Sequence, residues 1–570
     1  MTPNALTVLE RRYLRRDAQG RVIETPEAMF RRVARNVAEA DRLYEPGADL
    51  EATAEAFYQV MADLEFLPNS PTLMNAGREL QQLAACFVLP VEDSLDSIFE
   101  AVKHTAIIHK SGGGTGFSFS RLRPQADPVD TTSGIASGPV SFMKVFNTAT
   151  EVIKQGGTRR GANMGILRVD HPDILQFIDC KRGTQELSNF NISVGVTDRF
   201  LQALAEGGSY PLINPRTGQP VRELQARAVF DRLVEAAWEG GEPGMIFLDE
   251  INRWNPTPQL GEIEATNPCG EQPLLPFEAC NLGSVNLTRM LRAQGGRVVL
   301  ERDKLARTIR TAVHFLDNVI DMSRYPVPQI TAMCQGNRKI GLGVMGFADL
   351  LIRLGIPYDS EEALRYAEEL MAFVSQTARA ASAELAERRG SFPNFKGSRL
   401  EREGKAPLRN AAVTTVAPTG TLSLIAGCSS GIEPLYGIAF VRRVLDGERL
   451  AEVNPYFVEV VQQEGLWSEG LRQEIEASGR LPAAVPAAVR QLFVTAFEVA
   501  PEWHVRMQAA FQRSTDSAVS KTVNLPAQAT REDVARVFLL AHELKCKGVT
   551  VFRSGGRPEQ VLTCGTLQPC

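Results

Sequence analysis

The sequence predicts an α/β fold with a mainly parallel sheet, because strand-like apolar runs alternate with long amphipathic helices. Residues 117–119 and 192–196 alternate large apolar side chains with small or polar ones, as half-buried strands do. Apolar residues between 305 and 320 recur on one face of a helix. A second long helix is predicted over 361–389, and Gly390 follows it as the residue that ends the helix.

The N-terminal residues predict a small helical region before the α/β domain. Thr25 and Pro26 suit the N-cap and first turn of a helix, and apolar residues follow at helical spacing. We expect this helical region over residues 1–84, the α/β domain over 85–553, and a flexible Gly-rich tail with two cysteines over 554–570.

Composition and charge exclude several function classes. The chain has 570 residues, with 62 Lys and Arg against 67 Asp and Glu, so its net charge is −5. Such a chain is not suited to coat nucleic acid, and a bound nucleotide should lie in a pocket. An Arg-rich N-terminus and the lack of any long uncharged apolar run predict a cytoplasmic protein with no membrane contact.

Nine cysteines are present, and none forms a CxxC pair, which argues against a zinc ribbon or other metal site. In a cytosolic protein cysteines stay reduced unless they work as redox groups. The nine are therefore either buried thiols or members of a site assembled from distant segments.

The segment 267–273, Asn-Pro-Cys-Gly-Glu-Gln-Pro, combines an amide, a thiol and a carboxylate at alternate positions. In an extended segment alternate side chains point to one face, so Asn267, Cys269 and Glu271 could converge on one substrate. A carboxylate raises the pKa of a nearby thiol, which suits radical or acid–base chemistry better than nucleophilic attack. The alternative interpretation is a Pro/Gly-bounded turn with a buried cysteine.

Asn267–Glu271 resembles the active-site signature of ribonucleotide reductase large chains, and four further segments are similar to family motifs in the family's order. These are Leu67–Met74, Leu83–Leu89 around Cys86, Glu278–Leu287 around Cys280, and Ala417–Thr421. The resemblance implies a ten-stranded α/β barrel over 85–553 with a finger loop inside it. Cys269 should lie at the tip of that loop, with Cys86 and Cys280 on neighbouring strands.

The resemblance also implies the chemistry. Cys269 would become a thiyl radical and take the 3′ hydrogen of the ribose, while Glu271 removes the 3′-OH proton and Asn267 holds the hydroxyls. Cys86 and Cys280 would supply two electrons and become a disulfide as the 2′-OH leaves as water. The alternative for these two is a pair of buried apolar thiols.

Two segments are implied to bind substrate, and residues 417–423 suit a strand-end loop that leads into a helix and binds phosphate. The alternative there is an ST-turn that caps the helix. The implied substrate-binding residues are Ser70, Thr72, Ala85, Pro418, Thr419, Gly420 and Thr421.

Residues 109–116 resemble a P-loop but lack Gly-Lys-Ser/Thr, and a strand is predicted to follow. In the family this region belongs to an allosteric site for a deoxynucleoside triphosphate that sets substrate specificity. The residues implied there are Asp93, Ser94, Leu95, Lys110 and Arg123, with Gln155 and Arg159 on a loop that reports effector identity to the substrate pocket. For that loop, a plain surface turn with basic flanks is the alternative.

The sequence also discriminates among reductase classes. No tyrosine follows Tyr456, so a tyrosine relay from a separate radical subunit has no C-terminal end here. Residues 552–557 lack the aromatic residue of a glycyl-radical motif, and 417–434 and 545–553 are most similar to the adenosylcobalamin-dependent class. The resemblance therefore implies a vitamin B12-dependent reductase of ribonucleotides, with diphosphates as the expected substrates. The chain has no Asp-x-His-x-x-Gly motif, so the cofactor contacts stay unassigned.

Two features depart from many relatives. The chain starts directly with the helical region, so we expect no ATP cone and no general inhibition by dATP. Its C-terminal tail is short. Cys564 and Cys570 could pass electrons from a thioredoxin- or glutaredoxin-type reductant to the Cys86–Cys280 pair, and the alternative is a simplified tail without this role. A large subunit driven by a separate radical subunit and a catalytically idle nucleotide-binding regulator stay open as alternatives, as do monomer and homodimer.

Overall fold

The computed structural model describes residues 1–129, 134–153, 161–183, 186–444, 448–556 and 562–564. Within β17, β18 and β21, defined below, only the backbone is described for 440–444, 448–452 and 562–564.

The α-helices, in chain order, are α1 (Pro3–Arg12), α2 (Pro26–Ala38), α3 (Leu50–Ala62), α4 (Ser70–Asn75), α5 (Leu95–Lys110), α6 (Pro139–Val152), α7 (Ile174–Asp179), α8 (Asp198–Glu206), α9 (Ala226–Gly240), α10 (Leu248–Arg253), α11 (Arg302–Met322), α12 (Pro328–Asn337), α13 (Phe347–Leu354), α14 (Glu361–Arg389), α15 (Arg399–Arg402), α16 (Gly420–Ala426), α17 (Pro455–Gln463), α18 (Glu469–Ser478), α19 (Ala487–Leu492), α20 (Pro501–Gln512) and α21 (Arg531–Glu543).

The strands are β1 (Phe66–Pro68), β2 (Cys86–Val88), β3 (Gly114–Ser118), β4 (Pro128–Val129), β5 (Gly134–Ile135), β6 (Asn163–Arg168), β7 (Phe190–Val196), β8 (Ser209–Ile213), β9 (Pro220–Gln225), β10 (Gly244–Phe247), β11 (Ala265–Thr266), β12 (Pro273–Leu274), β13 (Ala279–Asn286), β14 (Leu291–Gln294), β15 (Arg297–Leu300), β16 (Ile340–Met345), β17 (Ala439–Val444), β18 (Glu448–Val453), β19 (Thr522–Leu525), β20 (Gly548–Arg553) and β21 (Leu562–Cys564).

The N-terminal helices begin at side-chain caps. The hydroxyl of Thr25 accepts a hydrogen bond from Ala28 N at 3.2 Å, which satisfies one free donor of the first turn of α2, as predicted. Met29 and Val33 of α2 are fully buried against α3 and α11. Buried Arg389 of α14 bonds Asp41 at 2.6 Å and so ties this helical region to the α/β domain.

The main sheet contains ten strands. Strands β2, β3, β6, β7 and β10 run parallel in that order, and the pairs β13–β16 and β19–β20 are also parallel. Antiparallel pairs join the five-stranded parallel group to the other two, β2 with β13 and β10 with β20. Single bridges join Leu342 to Thr414 and Val416 to Val519. The predicted α/β fold with a ten-stranded sheet and an N-terminal helical region is confirmed.

The helix predictions hold and one strand prediction needs correction. The apolar face predicted between 305 and 320 is buried in α11, and α14 spans the predicted 361–389 with Gly390 at φ +82° as its C-cap. Residues 117 and 118 lie in β3 and 192–196 in β7, but these strands are buried on both faces rather than half-buried. Strands inside a parallel sheet have packed layers on both sides, which the alternation with small residues does not reveal.

A two-stranded hairpin, β11–β12, crosses the sheet and carries the expected finger loop, residues 267–272. It packs on β2, β3 and β6. A Cβ added to Gly116 of β3 would lie 1.7 Å from the carbonyl oxygen of Thr266. Only glycine at 116 therefore allows the hairpin to approach the sheet this closely.

No helix among the described residues is long and apolar enough to cross a membrane. Beyond the ten-stranded sheet, β21 pairs antiparallel with β17, so Leu562–Cys564 of the tail lies beside Phe440–Arg442.

Candidate redox active site

Two cysteines face each other across the antiparallel pair β2–β13. Cys86 and Cys280 are in direct register, on neighbouring strands as expected. Directly opposed residues of antiparallel strands have Cα atoms about 4.5–5.5 Å apart, and their side chains lie on the same face of the sheet. That spacing falls within the Cα separation of disulfides. Both thiols are free in the structure, and the backbone allows them to form a disulfide.

Both thiols are buried, with 6% of Cys86 and 1% of Cys280 exposed. Burial raises the pKa of Cys86 well above its usual value, and the nearby Glu271 carboxylate and the Cys269 and Cys280 sulfurs raise this pKa further. Burial likewise raises the pKa of Cys280, although Lys339 acts in the opposite direction. At neutral pH both sulfurs therefore carry protons that a reaction can use.

The finger loop is a tight turn rather than the extended segment that the alternate spacing suggested. Asn267 N donates to Gln272 O at 3.1 Å, Gly270 N donates to Asn267 O at 3.1 Å, and Gly270 has φ +81°. A positive φ at glycine reverses the chain, so side chains two residues apart no longer share a face. Cys269 is exposed, whereas Asn267 and Glu271 are buried.

Asn267 connects the loop to the thiol pair. Its Nδ2 donates to Cys86 Sγ at 3.1 Å, and its Oδ1 accepts from Gln272 N at 2.9 Å. One side chain thus closes the turn and binds the sulfur of the strand below it. This hydrogen bond favours a thiolate at Cys86, opposite in effect to the Glu271 carboxylate.

The backbone of Glu271 is held from the other half of the sheet. Its carbonyl oxygen accepts from Thr415 Oγ1 and from Ala518 N, both at 2.9 Å. Buried Lys547 supports that segment, because its Nζ donates to Asp516 O at 2.6 Å and to Ser517 O at 2.8 Å. Two distant segments therefore fix the position of Glu271.

Cys269 opens into a cavity of about 880 Å³. Asn191 Nδ2 donates to Pro268 O at 2.8 Å, so the wall of the cavity also supports the loop beside Cys269. Thr2 and Asn4, at the start of α1, line the cavity as well.

Most polar side chains of the cavity wall are uncharged. The amides and hydroxyls are those of Thr2, Asn4, Asn191, Ser193, Ser423, Ser429, Ser430, Tyr436, Asn454, Gln508, Ser520, Thr522, Asn524 and Thr550. The charged groups of the wall are Glu242, Asp349, Glu433 and Lys521. Lys521 Nζ donates to Glu433 Oε2 at 2.6 Å and to His504 Nδ1 at 2.9 Å, so the single ammonium group of this wall is already neutralised.

The implied substrate residues fall into two places. Pro418 lines the same cavity as Cys269. Thr419 has φ +52°, and its Oγ1 accepts a hydrogen bond from Gly431 N at 2.8 Å. Gly420 and Thr421 are the first two residues of α16. Thr72 Oγ1 donates to Leu83 O at 2.9 Å.

Ala85 N donates to Cys280 O at 3.4 Å, so the second group of implied substrate residues lies beside the thiol pair. In the same segment, Ser70 Oγ bonds the hydroxyl of Tyr13 at 2.7 Å.

The implied effector residues cluster at the start of α5, with one exception. Asp93 Oδ2 accepts from Arg123 Nε at 2.8 Å, Ser94 caps α5, and exposed Leu95 begins it. Lys110 is the last residue of α5 and lies about 22 Å along its axis from Leu95. Gln155, Arg159 and Cys570 lie outside the described residues, as does the side chain of Cys564.

Sequence analysis missed a buried ion pair beside Cys280. Lys339 Nζ lies 2.6 Å from Glu278 Oε2. Glu278 could have been found, because it precedes Cys280 by two residues and alternate residues of a strand share a face. Lys339 could not, because only the pairing of β13 with β16 brings it there.

These features make up the candidate redox site: two opposed cysteines, a third cysteine at a cavity, and a buried carboxylate. Residues 84–552 match the family model described as ribonucleotide reductase, barrel domain, and residues 1–81 match the one described as ribonucleotide reductase, all-alpha domain. The chain belongs to the ribonucleotide reductase family.

Curated relatives extend along the whole chain. A protein of Thermoplasma acidophilum named vitamin B12-dependent ribonucleoside-diphosphate reductase is 50% identical, over 100% of this chain and 81% of that protein. A protein of the same name from Mycobacterium tuberculosis is 53% identical, over 99% of this chain and 81% of that protein. The solved class Id ribonucleotide reductase alpha subunit of Actinobacillus ureae shares the fold, with a TM-score of 0.78, 23% identity and 97% coverage of both chains.

Asp349 gives the cavity a pH-dependent group. Burial raises the pKa of this carboxyl to about 6, although Ser429 N donates to it at 2.6 Å. Between about pH 4 and 6 the folded protein holds a proton here that the unfolded chain releases, so this group lowers stability as pH rises through that range.

Asp349→Asn should remove this pH dependence. Relative to the unmodified protein, the free energy of unfolding of the variant should rise by up to about 3 kcal/mol between pH 4 and 6, and the difference should stay constant above pH 6. Urea unfolding of both proteins from pH 4 to 8 measures it, and parallel pH profiles would contradict the assignment.

Proposed function

We propose that this protein is an adenosylcobalamin-dependent ribonucleoside-diphosphate reductase, which converts ribonucleotides to 2′-deoxyribonucleotides by thiyl-radical chemistry. The observation that carries the proposal is the register of Cys86 with Cys280 below a finger loop that exposes Cys269 to the cavity. The vitamin B12-dependent relatives at 50% and 53% identity support the choice of cofactor and of diphosphate substrates.

Each side chain has a distinct task in this reaction. Cys269, exposed at the cavity, loses its S–H hydrogen atom, takes the 3′ hydrogen of the ribose and returns a hydrogen to C3′ in the last step. Glu271 accepts the 3′-OH proton, and Asn267 orients the hydroxyls from its position between Gln272 and Cys86. Cys86 and Cys280 then deliver two electrons and become a disulfide as the 2′-OH leaves as water. Their raised pKa values keep the required protons on sulfur until that step.

The cavity wall fits the cofactor by its chemistry. Adenosylcobalamin, when bound, supplies the radical that oxidises Cys269. The corrin ring carries many amide side chains, which pair best with neutral donors and acceptors such as Asn191, Asn454, Gln508 and Asn524. A nucleotide phosphate needs positive charge or free N–H groups, and the ammonium of Lys521 is already bound. We therefore assign these amides to the cofactor, and the Pro418–Thr421 segment and the Ser70–Ala85 segment to the substrate.

Turnover without a second protein distinguishes this proposal from its alternatives. With only adenosylcobalamin and a dithiol, the protein should form deoxyribonucleotides from ribonucleoside diphosphates, as measured by chromatography of the products. Cys269→Ser, Cys86→Ser and Cys280→Ser should each lower turnover at least about a hundredfold, because no other group replaces a reacting thiol. Cys180→Ser, at the partly exposed C-cap of α7, should keep it.

The variants should also separate formation of the thiyl radical from the later delivery of electrons by the cysteine pair. Cys86→Ser and Cys280→Ser should still permit cobalt–carbon homolysis, whereas Cys269→Ser should not form the thiyl radical. A requirement for a separate radical subunit would favour the large-subunit alternative. No product under any condition would favour the idle regulator, and near-normal turnover of all three variants would contradict the roles given to these cysteines.

The effector site is proposed at the start of α5. Asp93 and Arg123 form an ion pair with side chains 26% and 22% exposed, within reach of a ligand. A guanidinium has five N–H donors, so Arg123 can keep its bond to Asp93 and still bind a triphosphate, and a carboxylate suits sugar or base donors. Deoxynucleoside triphosphates would bind here and bias substrate choice, and a thioredoxin- or glutaredoxin-type protein would reduce the Cys86–Cys280 disulfide.

A homodimer would explain the position of Lys110. The exposed face of α5 carries a stripe of apolar residues at helical spacing, interrupted by Lys103, with Leu95 63%, Phe99 53% and Ile107 41% exposed. A two-fold axis makes the same patch contact itself. Two α5 helices packed antiparallel through this stripe would bring the Lys110 end of one helix to the Asp93 end of the other and complete the effector site.

Phe99→Glu should convert the dimer to a monomer, because it replaces a large apolar side chain of the contact with a charge. Leu539→Glu is the matched control, since Leu539 is a 44% exposed apolar residue on α21, outside the stripe. Light scattering after size-exclusion chromatography measures the mass. A dimer that survives Phe99→Glu, or an unmodified protein that is monomeric at micromolar concentration, would refute this interface.

A further inference from the structure

A buried ion pair lies behind one of the two opposed thiols. Glu278 Oε2 accepts from Lys339 Nζ at 2.6 Å and from Leu275 N at 2.7 Å, and its Oε1 accepts from Asn337 Nδ2. The side chains of Lys339 and Glu278 are 4% and 2% exposed. Two charges removed from water carry a desolvation penalty that their attraction barely offsets, so such a pair is weak as a stabilising device.

The pair belongs to the surroundings of Cys280. Glu278 precedes Cys280 by two residues, and the register of Asn281 with Ile340 places Lys339 beside Cys280 on the next strand. The carbonyl oxygen of Lys339 is 3.9 Å from Cys280 Sγ. After burial itself, Lys339 has the largest effect on the pKa of the Cys280 thiol and lowers it, whereas Cys334, Glu278 and Glu271 raise it.

The surroundings of Cys86 differ in charge. Its sulfur has the Glu271 carboxylate and the Cys269 thiol as neighbours, both of which disfavour a thiolate, whereas the neutral amide of Asn267 favours one. Carboxylates therefore act on both thiols, and the two halves of the pair differ in that Lys339 also acts on Cys280, whereas the groups with the largest effects on Cys86 include no cation.

We propose that Lys339, held in place by Glu278, makes Cys280 the leaving sulfur when the Cys86–Cys280 disulfide is reduced, so that the reductant attacks Cys86. This inference rests on the proposed redox role of the two cysteines. A disulfide breaks faster when the departing sulfur is the more stable thiolate. Lys339 is thus a positioning residue that sets the direction of thiol exchange without touching the nucleotide.

The exchange balances with a dithiol as the reductant. One thiolate of the dithiol attacks Cys86 Sγ, the S–S bond breaks, and its electron pair stays on Cys280 Sγ beside Lys339. The second thiolate of the dithiol then attacks the other sulfur of the same dithiol, which is bonded to Cys86 in the mixed disulfide. This forms the disulfide of the reductant and releases Cys86. The dithiol ends as a disulfide, and its two protons end on Cys86 and Cys280.

The test uses the full-length protein without cofactor. The Cys86–Cys280 disulfide is formed with an oxidant, and its reduction by dithiothreitol is followed by alkylation and peptide mass spectrometry. Replacing both charges, Glu278→Gln with Lys339→Met, avoids an unpaired buried charge and should slow reduction about tenfold, because the leaving thiolate loses its cation. Lys339→Arg should retain most of the rate.

The matched control removes a lysine–glutamate pair away from the thiols. Lys304 Nζ lies 2.8 Å from Glu65 Oε1, and Glu65→Gln with Lys304→Met should leave the rate unchanged. In a Cys86→Ser background, the apparent pKa for alkylation of Cys280 should rise on loss of Lys339. An unchanged reduction rate in the Glu278/Lys339 double variant would overturn the inference, whereas failure of the oxidant to link Cys86 and Cys280 would overturn the redox pairing itself.

A second measurement identifies the attacked sulfur. A brief exposure of the oxidised protein to a monothiol such as cysteamine, followed by an acid quench, should leave the adduct on Cys86 with Cys280 free for alkylation. An adduct found chiefly on Cys280 would show that the direction is reversed and would overturn the inference.

Discussion

The antiparallel pairing of β2 with β13 is the constraint on which the site depends. It joins two sets of parallel strands and sets Cys86 directly opposite Cys280. A shift of one residue in this register would turn one cysteine to the other face of the sheet and remove any disulfide. The same strand, β13, also pairs with β16. Its register with β16 brings Lys339 beside Cys280, and its register with β2 brings the two thiols together.

The finger loop adds the third thiol by crossing this sheet at close range. Gly116 leaves no space for a side chain below Thr266, Asn267 bonds Cys86, and Thr415 and Ala518 hold the Glu271 carbonyl. The loop is therefore fixed by contacts with both halves of the sheet. Such a fixed loop lets Cys269 face the cavity while Glu271 stays buried.

The sequence predicted what depends on local periodicity and on motifs. The long helices α11 and α14, the cap of α2 and the opposed cysteines agree with the structure, because each leaves a pattern within a short segment. The extended conformation predicted for residues 267–271 was wrong, since a positive φ at Gly270 turns the chain. Lys339 beside Cys280 and the cavity wall around Cys269 arise from pairings between distant segments, which no local pattern records.

A single turnover without any external reductant tests the central claim most directly. The reduced protein carries Cys564→Ser and Cys570→Ser, so that no tail dithiol can re-reduce the pair. It is mixed with adenosylcobalamin and one ribonucleoside diphosphate under anaerobic conditions, quenched, alkylated and analysed for product and for linked peptides. The account predicts one deoxynucleotide for each new disulfide and a single linked peptide pair that contains Cys86 and Cys280. Product formed while both cysteines remain free for alkylation, or a disulfide that joins Cys269 to either of them instead, would contradict it.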